Sequence, residues 1–146
     1  ELWYTIPEGT DSNFAWQIGH LLVSQNFHAI TTITGVNEDV GRQIPIARYN
    51  KIFNGMGTLH RSAERNFIPV SELKEQLGFV HDICLANLLS LNDETLKEPL
   101  EPIPFKHPVA DIKYEALSWC FKHEMWHCAE MEAIKRALGY PIVWMK

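Results

Sequence analysis

Two histidines four residues apart carry the clearest chemical signal in this 146-residue sequence. His123 and His127 lie in the run His-Glu-Met-Trp-His, within a segment whose apolar spacing predicts a helix. Residues four apart share one face of a helix, so both imidazoles can bind one metal ion. That face is otherwise apolar, with Ala116, Cys120, Met131, Ile134 and Leu138. Buried imidazoles need partners, and either a metal ion or hydrogen bonds within the core would supply them.

His20 is the best candidate for a third ligand. It lies near Trp16 and Val23 in a segment that is apolar on most sides, and such a helix is normally central and buried. Three histidines from two helices leave one coordination position open to water or substrate, which is typical of a catalytic site. Neutral imidazoles accept zinc, nickel or iron, so we expect one divalent ion of undetermined identity.

The other four histidines are predicted to have different roles. His81 lies beside apolar residues of its helix, which predicts an inward position. It would then face a substrate beside the metal site or be hydrogen-bonded in the core. His28, His60 and His107 show no apolar pattern and are predicted to be surface or loop residues.

Two carboxylates are candidates for a general base. Glu124 lies one helix position from the histidine face and Glu130 lies on its other flank, so a solvated surface position is an equal alternative for each. Trp16 and Cys120 share the faces of the predicted ligands. We therefore expect them beside the metal site or facing a substrate.

The run from His123 to His127 also matches the His-Glu-x-x-His motif of zinc metalloproteases. The extended form of that motif has Gly and His where this sequence has Glu130 and Ala133. No acidic residue follows Glu132 to act as a later ligand, and no segment predicts a sheet for a peptide substrate. A zinc protease is the less favoured alternative.

Three long helices are predicted to position these residues, over residues 11–34, 71–91 and 109–138. The candidate boundary residues are Asp11 or Ser12 and Ser71 as caps, Pro108 as a first-turn residue, and Gly35 and Gly139 as stops. Residues 46–53 predict a short helix, and four prolines make residues 92–108 an extended crossover. Ile142 to Met145 could be extended. These elements predict one all-α domain over residues 1–146, built as a helix bundle.

Composition limits the partners and the compartment. The 13 Lys and Arg residues against 18 Asp and Glu give a formal charge of −5, and no basic block is present to bind nucleic acid. The three cysteines form no Cys-x-x-Cys pair, which predicts a reducing, cytoplasmic environment. No apolar run reaches the roughly 20 residues that span a bilayer. We expect neither a nucleic-acid nor a membrane partner.

Two stretches resemble the DinB/YfiT-like superfamily. Residues 13–21 read Asn-Phe-Ala-Trp-Gln-Ile-Gly-His-Leu and resemble its Gly-His-Leu helix. The His-x-x-x-His pair followed by Arg-Ala-Leu-Gly at residues 136–139 resembles its last helix. The resemblance implies an up-down-down-up four-helix bundle whose three histidines hold a divalent metal, here His20, His123 and His127. The Gly-Gln that the family places after its last ligand is replaced, since Cys128 and Ala129 follow His127.

The resemblance also implies a helix before residues 13–21. Residues 1–4 would be its end or the following loop, so we expect roughly 20 or more residues upstream. It further implies a homodimer, to which Trp3, Tyr4, Trp144 and Met145 could contribute, although these side chains could equally pack on the core of their own domain.

Several activities are consistent with the resemblance. It implies thiol transfer to small electrophiles or hydrolysis of small molecules. A non-enzymatic, stress-associated bundle with a vestigial or stabilising metal is an alternative. The iron-binding domain of ergothioneine-type sulfoxide synthases shares the histidine pattern, but it would need a second catalytic domain.

Overall fold

Three long helical segments dominate the computed structural model, which describes residues 2–54 and 68–141. The first segment begins as α1 (Phe14–Gln25), continues as a π-helical segment (Asn26–Thr31) and ends in one further helical turn (Thr32–Thr34). The other helices are α2 (Glu38–Gln43), α3 (Ile46–Phe53), α4 (Val70–Ser90) and α5 (Lys113–Ala137). Short 3-10 turns lie at Leu2–Tyr4 and Thr95–Lys97. These two ranges contain no strand, and the predicted all-α fold is confirmed.

Asn13 caps the first helix. Its side-chain oxygen accepts a hydrogen bond from the backbone N–H of Trp16 at 2.8 Å, which satisfies one of the free amides of the first turn. The predicted caps, Asp11 and Ser12, lie just before this position. The predicted stop is confirmed, because Gly35 ends the segment with a φ of +86° that favours glycine.

The other long helices also start later or earlier than predicted. α4 begins at Val70, directly after Pro69, so Ser71 lies inside the first turn and is not the cap. Pro108 does not open α5, which begins only at Lys113, directly after an isolated bridge between Ile112 and Pro99.

The remaining predicted elements fit the structure closely. The short helix α3 has the predicted bounds, and Gly139 ends α5 with a φ of +87°. The crossover before α5 contains no α-helix; its one short 3-10 turn is Thr95–Lys97, and the rest is irregular. The segment Ile142 to Met145 and His60 lie outside the described residues.

α1 is the central helix of the fold, in contact with α3, α4 and α5. Its buried residues include Trp16 and Leu22, at 2% and 0% exposure. Gly19 lets α3 approach closely, since a Cβ at this position would lie 2.5 Å from the ring atoms of Phe53. The backbone of α3 is thereby brought beside His20.

α4 contributes only a narrow apolar stripe to this core. Leu73, Val80 and Cys84 are buried, whereas Leu88 is 44% exposed. The prediction that His81 faces inward is wrong: the residue is exposed. Neighbouring residues are turned by about 100° around a helix, so the burial of Val80 directs the next side chain outward.

The aromatic residues near the start pack on their own chain. The Trp3 ring lies 5.4 Å from that of Phe14, and the Tyr4 hydroxyl donates to the backbone oxygen of Ile68. Trp144 and Met145 lie outside the described residues, and the homodimer stays a prediction. Within the described ranges, no helix has the length and apolar character needed to cross a bilayer.

Candidate metal centre

α1 and α5 bring three histidines together at one point. His20 projects from α1, and His123 and His127 project from successive turns of α5. One ring nitrogen from each residue lies within 4.8 Å of the other two. The Nε2 of His123 is 3.3 Å from that of His20 and 3.0 Å from that of His127. A zinc–nitrogen distance of about 2.05 Å with tetrahedral angles separates two ligand nitrogens by about 3.3 Å, so the spacing fits one ion.

The other nitrogen of each ring is held by a protein oxygen. The three pairs are His20 Nδ1 with Phe53 O at 2.6 Å, His123 Nδ1 with Ser24 Oγ at 2.9 Å, and His127 Nδ1 with Gln17 Oε1 at 2.5 Å. Carbonyl and amide oxygens only accept, so the proton of a neutral His20 or His127 ring lies on Nδ1. The lone pair on Nε2 is then directed towards the shared point, as in metal-binding histidines.

Gln17 connects His127 to a carboxylate. It is fully buried, and its Nε2 donates to Glu130 at 2.8 Å while its Oε1 accepts from His127. Glu130 Oε2 is also 3.5 Å from His127 Nδ1. The carboxylate therefore lies behind His127, on the side of the ring that faces away from the three Nε2 atoms. Its geometry is that of a residue that orients a ligand rather than that of a general base.

Glu124 is engaged between α1 and α5. Its Oε1 accepts from Gln25 Nε2 at 2.8 Å and lies 3.3 Å from the Cys120 thiol. Burial, followed by the charge of Glu124, raises the pKa of Cys120 well above its usual range. Burial likewise raises the pKa of Cys84 to about 12. Both thiols are protonated at neutral pH, and Cys120 serves to hold Glu124.

Trp16 lies directly against the centre, as predicted. Its ring is parallel to that of His20, with 4.8 Å between centroids and 8° between planes. Burial, followed by the neighbouring His20, lowers the pKa of His123 to about 4. The unprotonated form that binds a metal therefore predominates at neutral pH.

A cavity of about 590 Å³ opens on one side of the centre. His20, Ser24 and His123 form its inner end. Most of the remaining wall is apolar, including Phe27 and Phe105, whose rings lie 5.4 Å apart. Two of the three candidate ligands thus border a space large enough for a small molecule.

Two further histidines lie beside this cavity. The prediction that His28 is a surface or loop residue is wrong, because it lies in the π-helical segment and is only 8% exposed. His107 lies in the loop before α5, as predicted, but it is buried, at 3% exposure. Their Nδ1 and Nε2 atoms lie 2.8 Å apart, and the His107 ring is stacked on Phe27 with 5.5 Å between centroids. Burial, followed by neighbouring histidines, lowers the pKa of His28 to about 3, and burial lowers that of His107.

Comparison with protein families identifies the family of the chain. A family model described as the DinB superfamily matches residues 1–131. Neither a curated protein nor a solved structure matches the chain. The family match covers most of the 146 residues and includes all three histidines of the candidate centre. The chain therefore belongs to the DinB superfamily.

Proposed function

We propose that this protein binds one divalent metal ion through His20, His123 and His127 and is an enzyme that acts on a small molecule in the adjoining cavity. The strongest support is that the two nitrogens of each ring face different partners. The three Nε2 atoms converge, while each Nδ1 is held by Phe53, Ser24 or Gln17. A set of core histidines without a metal would not need three nitrogens facing one another.

Three neutral ligands leave the ion its full positive charge. Bound zinc, nickel or iron would lower the pKa of a coordinated water or thiol, or polarise a substrate oxygen. The ligand rings are kept in place by their Nδ1 partners, and Trp16 covers one face of His20. Hydrolysis of a small molecule and thiol transfer to a small electrophile are the two reactions that this arrangement would serve.

The cavity favours an enzyme over a bundle that binds metal only for stability. A stabilising ion is normally enclosed by four protein ligands. Here three candidate ligands are present among the described residues, and His20 and His123 border a space of about 590 Å³. A substrate could therefore approach the ion from this side.

Metal analysis of the untagged protein, purified without chelators, tests the site. We expect about one equivalent of zinc, nickel or iron in the wild type and its loss in the double variant His123→Ala/His127→Ala. His81→Ala is the matched control, because this exposed histidine lies outside the centre. Circular dichroism establishes that each variant is folded. Unchanged metal content in the double variant, or a wild type that neither contains metal nor is stabilised by added zinc, nickel or iron, would refute the site.

Activity of the loaded protein distinguishes the enzyme from a non-enzymatic bundle. Two assays cover the two reactions: release of nitrophenol from p-nitrophenyl acetate, and conjugation of glutathione to 1-chloro-2,4-dinitrobenzene. We expect turnover in at least one assay and none in the double variant. One bound metal without turnover in either assay would favour a metal-binding protein that has no catalytic role.

A further inference from the structure

The buried pair His28 and His107 has a fixed pattern of hydrogen bonds. The backbone N–H of Val109 donates to His107 Nδ1 at 3.2 Å, so this nitrogen carries no proton. A neutral His107 then bears its proton on Nε2, which lies 2.8 Å from His28 Nδ1 and donates to it. His28 Nδ1 is therefore an acceptor. The proton of a neutral His28 lies on the opposite nitrogen, Nε2.

The π-helical segment places this ring beside the metal centre. His28 follows His20 by eight residues, and in an uninterrupted α-helix it would lie about 80° around the axis from it. The wider turn of residues Asn26–Thr31 rotates it back towards the face of His20. The His28 ring lies on the wall of the cavity, 6.0 Å from the ring of His123.

The hydrogen bond of His28 to His107 uses Nδ1, so Nε2–H is the donor left for a molecule in the cavity that His28 lines. His28 is only 8% exposed, and it lines the cavity. A bound molecule that shields this donor from water must offer it an acceptor, or the lost hydrogen bond weakens binding. An oxygen of a bound molecule would satisfy this donor, while the aromatic rings of Phe27 and Phe105 would contact the apolar part of the same molecule.

We propose that His28 is a substrate-binding residue that donates its Nε2–H to a carbonyl-type oxygen of a compound with an aromatic or otherwise apolar body. His107 is the positioning residue that fixes the tautomer of His28. The substrate class is therefore an apolar ketone, ester or amide. The role of the neighbouring ion in this assignment rests on the function proposed above.

A matched pair of ligands tests this assignment. The ketone 2-acetylnaphthalene and the alkene 2-isopropenylnaphthalene have nearly the same shape, but only the first offers an acceptor oxygen. Their affinities are measured by ligand-observed NMR for zinc-loaded and metal-free protein. We expect the wild type to prefer the ketone in both states and His28→Phe to lose about 2- to 10-fold of that preference. His28→Gln, which restores an N–H donor, should recover part of it.

His81→Phe is the control, since it makes the same replacement on an exposed surface. A preference that is unchanged in a folded His28→Phe variant would overturn the proposal, as would failure of the wild type to prefer the ketone. Zinc content, measured on the same samples, separates this outcome from failure of the metal site. Loss of ketone preference with zinc still bound affects only the role of His28. A wild type that binds no zinc contradicts the proposed function instead.

A second measurement requires no variant of His28. Long-range proton–nitrogen NMR of the wild type reports which ring nitrogen carries the proton. We expect the Nε2–H tautomer at His28, and a mixture of tautomers in His107→Phe, because the phenyl ring cannot donate to Nδ1. An Nδ1–H tautomer in the wild type would refute the donor assignment. A purely structural role of His107 would leave the tautomer unchanged in the variant.

Discussion

Each histidine of the centre uses its two ring nitrogens for different purposes. Nδ1 binds a protein oxygen, and Nε2 faces the shared point. Loss of an Nδ1 partner frees the ring to rotate and weakens metal binding without removing a ligand. Gln17 is the most informative of these partners, because it also holds Glu130 and is fully buried.

We predict that Gln17→Leu lowers zinc affinity by about 10- to 100-fold. Gln25→Leu is the matched control. Gln25 is a second buried glutamine of α1, but its amide donates to Glu124 and holds no histidine of the centre. Competition with a chromophoric chelator measures both affinities, and circular dichroism checks the fold. Equal affinities of the two folded variants would show that Gln17 does not orient His127.

Helix spacing was sufficient to predict that the three histidines of the candidate centre lie together, because His20 and the pair in α5 lie on apolar helix faces. The same spacing contains a signal for two of their partners: Gln17 and Ser24 lie three residues before and four residues after His20. His28 and His107 could not be predicted in this way. Their positions depend on a π turn and on the path of an irregular segment, and neither leaves a periodic pattern in the sequence.

The long helices could be predicted as elements, but their ends could not all be placed. Pro108 favours a helical first turn, yet the backbone N–H of Lys113 bonds the oxygen of Glu98 and delays the helix. Glu115 then accepts from the backbone N–H of Ile112, at 3.3 Å. This tertiary pairing with the crossover outweighs the local signal of the proline. The prediction of the fold class did not depend on where the helices end, since the apolar spacing of three helices already required a bundle.

The contact between α1 and α3 depends on the absence of a Cβ at Gly19. Gly19→Ala would place a Cβ 2.5 Å from three ring atoms of Phe53, and the backbone oxygen of Phe53 accepts from His20. Overpacking costs about 1–3 kcal/mol, against a gain of about 0.5–1 kcal/mol from replacing glycine within a helix. We predict a net loss of stability and weaker zinc binding.

Gly78→Ala is the control for this prediction. Gly78 lies in α4 and is exposed, and a Cβ there would have no neighbour within 4 Å. We expect it to raise stability by about 0.5–1 kcal/mol. Urea unfolding compares both variants with the wild type. A Gly19→Ala protein as stable as Gly78→Ala would mean that α3 moves freely away from α1.

At the scale of the whole molecule, the centre connects the start of the fold to its end. His20 and His123 are 103 residues apart in sequence, and the 3.3 Å contact between their Nε2 atoms joins α1 to α5. Without a metal, His123 of this centre and the neighbouring His28 are a source of acid sensitivity. Their burial favours the neutral ring in the folded state, whereas the rings of the unfolded chain take up protons freely.

We therefore predict that the metal-free protein loses stability as the pH falls below about 6.5. The pKa of His28 is lowered to about 3 and that of His123 to about 4, from 6.5 in the unfolded chain. Between these values the unfolded state binds protons that the folded state does not, so the free energy of unfolding decreases with decreasing pH. The shift of His28 alone corresponds to about 1.6 kcal/mol between pH 6.5 and 5.0. Urea unfolding across this range should show a shallower dependence for His28→Phe than for the wild type or His81→Phe. Parallel curves for all three proteins would mean that His28 is not held neutral by the fold.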